Sequence, residues 1–413
     1  MPSQFNNMPE IIETNQLFCF EGSEKKMEID FRPIDGGDTD TIDINGGLRQ
    51  YNREFWSDIV AILNGTILLA DPQEKFDAYL ISESSLFVYN DRVIILTCGT
   101  TLLLKTLPAI MKAGADVGLE VCWFQYSRKN FLFPEQQSFP HTSFDQEVHF
   151  LHEYFPTGRP FIMGPLSSDH WYLFVADFIR RETPDGSRKI VDRDQMLNIY
   201  MYGIDPQVAQ YFMKADPLII PSIFEDFSAD SNNVEKEQTK ELGNQSEFCA
   251  TGDEASDRSG ISSLLEHDGK VVHSHLFEPC GYSMNGQAAD GSSYWTIHIT
   301  PEAHCSYASF ETNFSCDSYH HLIARVLEVF RPAKFTTVEH VDADSRIGIA
   351  GPVCPASLDG YDLAGRTFNE FGTKDYVVQM CNYVSKTAQY VAPPPPLLRA
   401  PPLHKSDSGE WSK

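Results

Sequence analysis

Residues 86 to 96 constrain the fold more than any other stretch. Leu86-Phe-Val-Tyr89 and Val93-Ile-Ile-Leu96 are β-rich runs separated only by Asn90-Asp91. Two such runs around a short polar turn read as a β-hairpin, and a hairpin joins antiparallel strands. Asp290-Gly291 gives a second hairpin signal before Tyr294-Trp-Thr-Ile-His-Ile299. Helical periodicity appears between such runs. Glu54 to Leu63 carries Trp56, Ile59, Val60 and Leu63 on one face. Thr100 or Thr101 is placed to cap a helix carrying Leu103, Leu107, Ile110 and Met111, with a kink expected at Pro108. Strands that pair locally, with helices interspersed, predict a mixed and largely antiparallel α+β fold rather than a doubly wound one. No internal repeat is visible in the sequence.

The turns also set registers. A two-residue turn at Asn90-Asp91 puts Cys98 opposite Glu83 and beside Ser84. A three-residue loop would put Cys98 opposite Ser84, and the two registers differ in face. A turn at Asp290-Gly291 puts Ser283 directly opposite His298. The same loop region holds Asn285-Gly286, which leaves the position of that turn open.

Composition excludes several classes of function. The formal net charge of -26 argues against a nucleic-acid or anionic-membrane surface, which needs basic patches. Nine scattered cysteines without a C-x-x-C pair argue against a zinc site or a disulfide framework, so no metal is expected. They fit a reducing compartment, read here as the cytoplasm. Neither a signal peptide nor a membrane span is expected from the sequence. Residues 228–259 carry eight acidic against three basic residues and one aromatic, Phe248, and read as a disordered surface insertion. The expected organisation is a flexible N-terminus (1–16), one domain (17–391) and a Pro-rich flexible tail (392–413). That tail contains Pro393 to Pro396 and Pro401-Pro402.

Six further blocks accompany Leu80-Ile-Ser-Glu-Ser-Ser-Leu-Phe-Val88 and Cys98-Gly-Thr-Thr101. They are Phe18-Cys-Phe-Glu-Gly-Ser-Glu24, Tyr126-Ser-Arg-Lys-Asn130, Ser168-Asp-His-Trp-Tyr-Leu173, Pro279-Cys-Gly-Tyr-Ser-Met-Asn-Gly286, Tyr294-Trp-Thr-Ile-His-Ile-Thr-Pro-Glu302 and Ser309-Phe-Glu-Thr-Asn313. In this order and spacing they resemble the eukaryotic-type S-adenosylmethionine decarboxylases, self-processing proenzymes that make a pyruvoyl cofactor from an internal serine. The resemblance implies a single-domain, four-layer α/β/β/α sandwich with two antiparallel sheets face to face. It implies cleavage between Glu83 and Ser84 into a β chain, 1–83, and an α chain that begins at residue 84. Such αβ units stand alone or pair as a homodimer.

The implied reaction is decarboxylation of S-adenosylmethionine, which supplies the aminopropyl donor for spermidine and spermine. It needs a carbonyl that forms a Schiff base with the substrate amine and delocalises the carbanion. The resemblance makes Ser84 the pyruvoyl precursor, His298 the base for its α-proton, Ser283 the helper of the acyl shift and Cys98 the proton donor in turnover. It places Phe20 and Phe277 around adenine, Glu302 on the ribose, Glu83 in the substrate site, and Glu21 and Glu24 near the chemistry. Putrescine-stimulated relatives hold the diamine among acids matching Glu28, Asp194 and Glu311. Here Asn198 replaces a glutamate, Met196 a threonine and Leu96 a lysine, so weak stimulation or none is expected. Two alternatives compete: an inactive paralogue that activates a partner decarboxylase, and a cysteine hydrolase built on Cys98 and His298.

Overall fold

The computed structural model describes residues 21–22, 24–34, 46–82, 84–177, 195–214, 248–265, 269–342, 345–350, 357–371 and 376–388, and the backbone of 404–405 and 411–412. The first sheet contains β1 (Lys25–Pro33), β2 (Ile67–Pro72), β3 (Asp77–Ile81), β4 (Ser84–Val88), β5 (Arg92–Thr97), β6 (Leu119–Lys129), β7 (Arg159–Met163) and β8 (Trp171–Asp177). Its strand order is β2-β3-β4-β5-β1-β6-β8-β7, and every pairing is antiparallel.

The second sheet contains β9 (Gln195–Tyr202), β10 (Gly269–Leu276), β11 (Tyr282–Ala288), β12 (Tyr294–Thr300), β13 (Tyr307–Thr312), β14 (Lys334–Asp342), β15 (Ser357–Leu358), β16 (Tyr361–Phe371) and β17 (Tyr376–Ser385). Its order is β10-β11-β12-β13-β9-β14-β17-β16-β15. Apart from β15 at the edge, this repeats the first sheet strand for strand. The topology is duplicated although the sequence displays no repeat. The tail contributes one two-residue pairing, His404–Lys405 with Trp411–Ser412.

Alternation along the strands builds the four layers. On β5, Val93 and Ile95 pack in a core with α1 (Arg53–Ile62), α2 (Leu107–Asp116) and α3 (Phe144–Tyr154). Ile94 and Leu96 point the other way, into a small cluster that includes Tyr294 of the second sheet. Burial on both faces is why this strand reads as an unbroken apolar run. Phe87 stacks on Tyr294 across the sheets, with ring centroids 4.2 Å apart. Trp171 and Tyr200 meet similarly at 4.4 Å. The outer face of the second sheet packs on α4 (Pro206–Ala209), α5 (Gly252–Ser259) and α6 (His320–Phe330), and α7 (Arg346–Ala350) follows β14. The α/β/β/α sandwich therefore stands as expected, and so does the helix at Glu54 to Leu63. Asn52 caps that helix, its side chain accepting from Phe55 N.

Two expectations are corrected. No helix starts at Thr100 or Thr101. Leu103–Thr106 forms a 3-10 turn, and α2 begins at Leu107 with Pro108 in its first turn. A proline there lacks only an N–H that has no helical partner, so it starts the helix instead of kinking it. The expected disordered stretch 228–259 is ordered from Phe248 onward. Thr251 caps α5 by accepting from Glu254 N, and Gly260 ends it in a left-handed conformation. The helix docks through Gly252, Ala255 and Ser256, whose hydroxyl lies 2.5 Å from Tyr282 Oη. A face made of small residues gives no apolar period, so composition misread it. Residues 228–247, the N-terminus 1–16 and most of the tail lie outside the described residues.

Candidate active site

β4 begins at Ser84, between β3 and β5. Ser84 pairs with Ile81 on one side and Thr97 on the other. Tyr89 N–H donates to Arg92 O at 2.8 Å, which closes the hairpin around Asn90-Asp91. The two-residue register is therefore the one formed, and Cys98 directly follows the partner of Ser84. Ser84 has φ +151°, a region that side-chain-bearing residues rarely enter. It is 1% exposed, and its Oγ has no hydrogen-bond partner. A strained, buried serine with a free hydroxyl is an uncommon combination. Glu83 lies outside the described residues.

The second sheet faces this point with β11 and β12. Ser283 and His298 sit directly opposite each other, as the Asp290-Gly291 turn predicts. Gly291 takes φ +70°, and Asp290 Oδ1 accepts from the backbone of Ser292 and Ser293. His298 Nδ1 lies 2.9 Å from Ser283 Oγ; Nε2 lies 2.9 Å from Thr296 Oγ1 and 3.2 Å from Ser85 Oγ. Burial holds the imidazole down at about 3, so it is neutral at ordinary pH. Both ring nitrogens are engaged by hydroxyls.

Between the sheets lies a cavity of about 290 Å³, lined among others by Glu24, Cys98, Phe277, Ser283, His298, Glu302 and Tyr307. Burial raises the Glu24 carboxyl to about 8, against the hydrogen bond that Ser309 Oγ donates at 2.8 Å. Glu24 is thus a neutral acid near pH 7. Glu302 Oε2 is buried and lacks a partner, as does Tyr307 Oη. Phe277 is held edge-on by His275, with centroids 4.6 Å apart. Glu21 works differently from the other acids. Its backbone carbonyl accepts from Gly99 N at 2.9 Å and its Oε2 from Phe133 N at 2.8 Å, so it braces the Cys98 turn. Lys25 braces the same turn, donating to Gly99 O at 2.7 Å. Phe20 lies outside the described residues.

Next to Glu24 sits the acidic cluster, and it already holds a cation. Lys26 Nζ lies 2.7 Å from Glu311 and 3.6 Å from Glu28, and also bonds Met196 Sδ. Glu311 further accepts from Tyr294 and from Asn198, its partner across β9 and β13. Arg92 pairs with Asp30 at 2.6 Å and with Glu28 at 3.4 Å. Lys26 was missed in the sequence, although the signal was present. The period of two that aligns Glu24, Glu28 and Asp30 puts Lys26 on the same face. Asp194 lies outside the described residues.

Residues 18–384 match the family described as adenosylmethionine decarboxylase. The chain is 36% identical over 386 residues to the S-adenosylmethionine decarboxylase proenzyme of Trypanosoma cruzi, covering 91% of each chain. It is 36% identical over 375 residues to the proenzyme of the same name from Dictyostelium discoideum, covering 90% of this chain and 88% of the relative. The crystal structure of the Trypanosoma brucei AdoMetDC-delta26 monomer is similar at a TM-score of 0.50 and 32% identity, spanning 73% of this chain and all of that one. The chain therefore belongs to the adenosylmethionine decarboxylase family, a family of carboxy-lyases.

Proposed function

We propose that the chain cleaves itself between Glu83 and Ser84 and then decarboxylates S-adenosylmethionine, feeding spermidine and spermine synthesis. The observation that carries this reading is Ser84 itself, with its φ of +151° and a buried hydroxyl that bonds nothing. Attack of Oγ on the Glu83 carbonyl carbon breaks the amide C–N bond and forms an ester, relieving the strained backbone. Removal of the Ser84 α-proton by neutral His298 then expels Glu83 as a carboxylate. The dehydroalanine left behind adds water and loses ammonia, which leaves a pyruvoyl group at residue 84.

Such a group at residue 84 would supply the electron sink that decarboxylation of an amino acid requires. The chain's own side chains do the rest. Phe277, with Phe20, stacks on adenine, and the unpartnered Glu302 Oε2 accepts from ribose hydroxyls. Cys98 Sγ delivers a proton to the substrate α-carbon once carbon dioxide has left. Glu24, as a neutral acid, adds no charge to the cavity it lines. The cluster of Glu28 and Glu311 corresponds to a diamine site whose ammonium is supplied by Lys26. Among the described residues no disulfide joins the seven cysteines, which is in keeping with the reducing, cytoplasmic setting proposed for the chain.

Intact mass decides the reading. Purified protein is expected as two chains split between Glu83 and Ser84, the larger blocked to Edman sequencing. Ser84→Ala is expected to stay one chain without activity. A cleaved and active Ser84→Ala protein would exclude a pyruvoyl group from residue 84.

A further inference from the structure

Asn285 stands on β11, two residues beyond Ser283, and is fully buried. Its amide joins the two sheets. Nδ2 donates to Tyr79 O at 3.1 Å, which identifies the other end as oxygen, and that Oδ1 accepts from Ser85 Oγ at 2.6 Å. Tyr79 lies on β3 and Ser85 on β4. One side chain therefore ties down both strands that flank the proposed cleavage bond.

The hydroxyl protons, followed outward from this amide, settle the imidazole. Ser85 has one proton, and it lies on Asn285 Oδ1. Thr296 has one, and its shortest bond is to Met284 O at 2.7 Å. Neither hydroxyl has a proton left for His298 Nε2, which stands 2.9 Å from one and 3.2 Å from the other. Nε2 then carries the hydrogen and donates. Nδ1 is the bare nitrogen and accepts from Ser283 Oγ at 2.9 Å. The opposite tautomer would draw its proton from Ser85 or Thr296, exchanging the 2.6 Å or the 2.7 Å bond for a longer one.

We infer that Asn285 is a positioning residue for self-cleavage: by taking the Ser85 proton and anchoring β3, it fixes His298 as the Nε2–H tautomer with its lone pair on the Ser283 side. Its effect on cleavage rests on His298 being the base proposed above, but the tautomer can be measured without any cleavage.

The test is nitrogen NMR of histidine-labelled Ser84→Ala protein, with His298 assigned by its loss in His298→Ala. The expected spectrum has a protonated Nε2 and a bare Nδ1, and adding Asn285→Leu mixes the two tautomers. With Ser84 intact, Asn285→Leu is expected to slow cleavage at least about tenfold. An ester that hydroxylamine splits should accumulate, because the step that needs His298 comes after the ester has formed. Asn285→Ala frees the same Ser85 proton without added bulk, should the Leu variant not fold. A protonated Nδ1 in the Ser84→Ala protein overturns the inference. So does wild-type cleavage in both variants, or slow cleavage without a hydroxylamine-sensitive ester. Cleavage that persists in Ser84→Ala would sink the self-cleavage reading and leave the tautomer assignment standing.

Discussion

His298 and Glu24 lie in one interior, and burial moves them in opposite directions. Burial disfavours whichever form is charged, so the imidazole falls to about 3 and the carboxyl rises to about 8. Processing that depends on neutral His298 should therefore be flat from about pH 5 to pH 8. A midpoint near 6.5 in the cleavage rate would mean that the imidazole is solvated. For Glu24 the folded state keeps a proton that the unfolded chain releases above about 4.5. Its contribution to stability is complete below that pH and is lost as pH rises through about 8. Glu24→Gln lacks this slope, which is at most about 1.4 kcal/mol per pH unit. The variant's Tm should gain on wild type between roughly pH 5 and pH 9, and parallel curves would place Glu24 in contact with water. Cys98→Ala should bind substrate but turn over roughly a hundredfold more slowly, with progressive inactivation as protons reach the wrong carbon. Single-turnover and long time-course assays separate these effects. Normal turnover without inactivation would leave Cys98 a packing residue.

At the scale of an element, β1 carries the regulatory question. Its inward face runs Glu24, Lys26, Glu28, Asp30, so the strand brings its own ammonium into the cluster of acids. Lys26 and Glu311 are both buried, and removing one member of such a pair costs about 3–5 kcal/mol. Putrescine is therefore expected to leave wild-type turnover unchanged. Lys26→Ala should be less stable, and millimolar putrescine should restore both its Tm and its rate. The check is a turnover assay with and without putrescine on fully processed protein. A several-fold stimulation of wild type that vanishes in Asp194→Ala would mean that the cluster accepts a diamine despite Lys26.

Across the whole molecule, the proposed cleavage cuts one sheet into interleaved halves. β1, β2 and β3 belong to residues 1–83, yet β1 lies between β5 and β6, paired along most of its length with both. The two chains should co-elute in size-exclusion chromatography and separate only in denaturant, because parting them breaks three ladders, β1 with β5, β1 with β6 and β3 with β4, and exposes the buried face of β1. Loss of the small chain on simple dilution would contradict this pairing. The duplicated topology has a related consequence. β4 and β12 occupy equivalent places in the two sheets, and Ser85 and Thr296 meet across the gap at 3.2 Å.

What the sequence determined by itself was local. Turn chemistry at Asn90-Asp91 and Asp290-Gly291 narrowed each hairpin to a few registers, and the structure takes the ones that put Cys98 beside Ser84 and Ser283 opposite His298. Alternation and helical period located β4, β5, β12 and α1, because each depends on neighbours a few residues away. Tertiary structure decided everything that required one sheet to meet the other. Lys26 reaches Glu311 across 285 residues of chain, and Ser85 reaches Asn285 across 200. No local pattern marks such pairs, since either partner alone reads as an ordinary polar residue on a strand. α5 was hidden for the same reason: small residues become a packing face only once Tyr282 is there to receive them. The strain at Ser84 likewise arises only when β3, β4 and β5 are held in register around it.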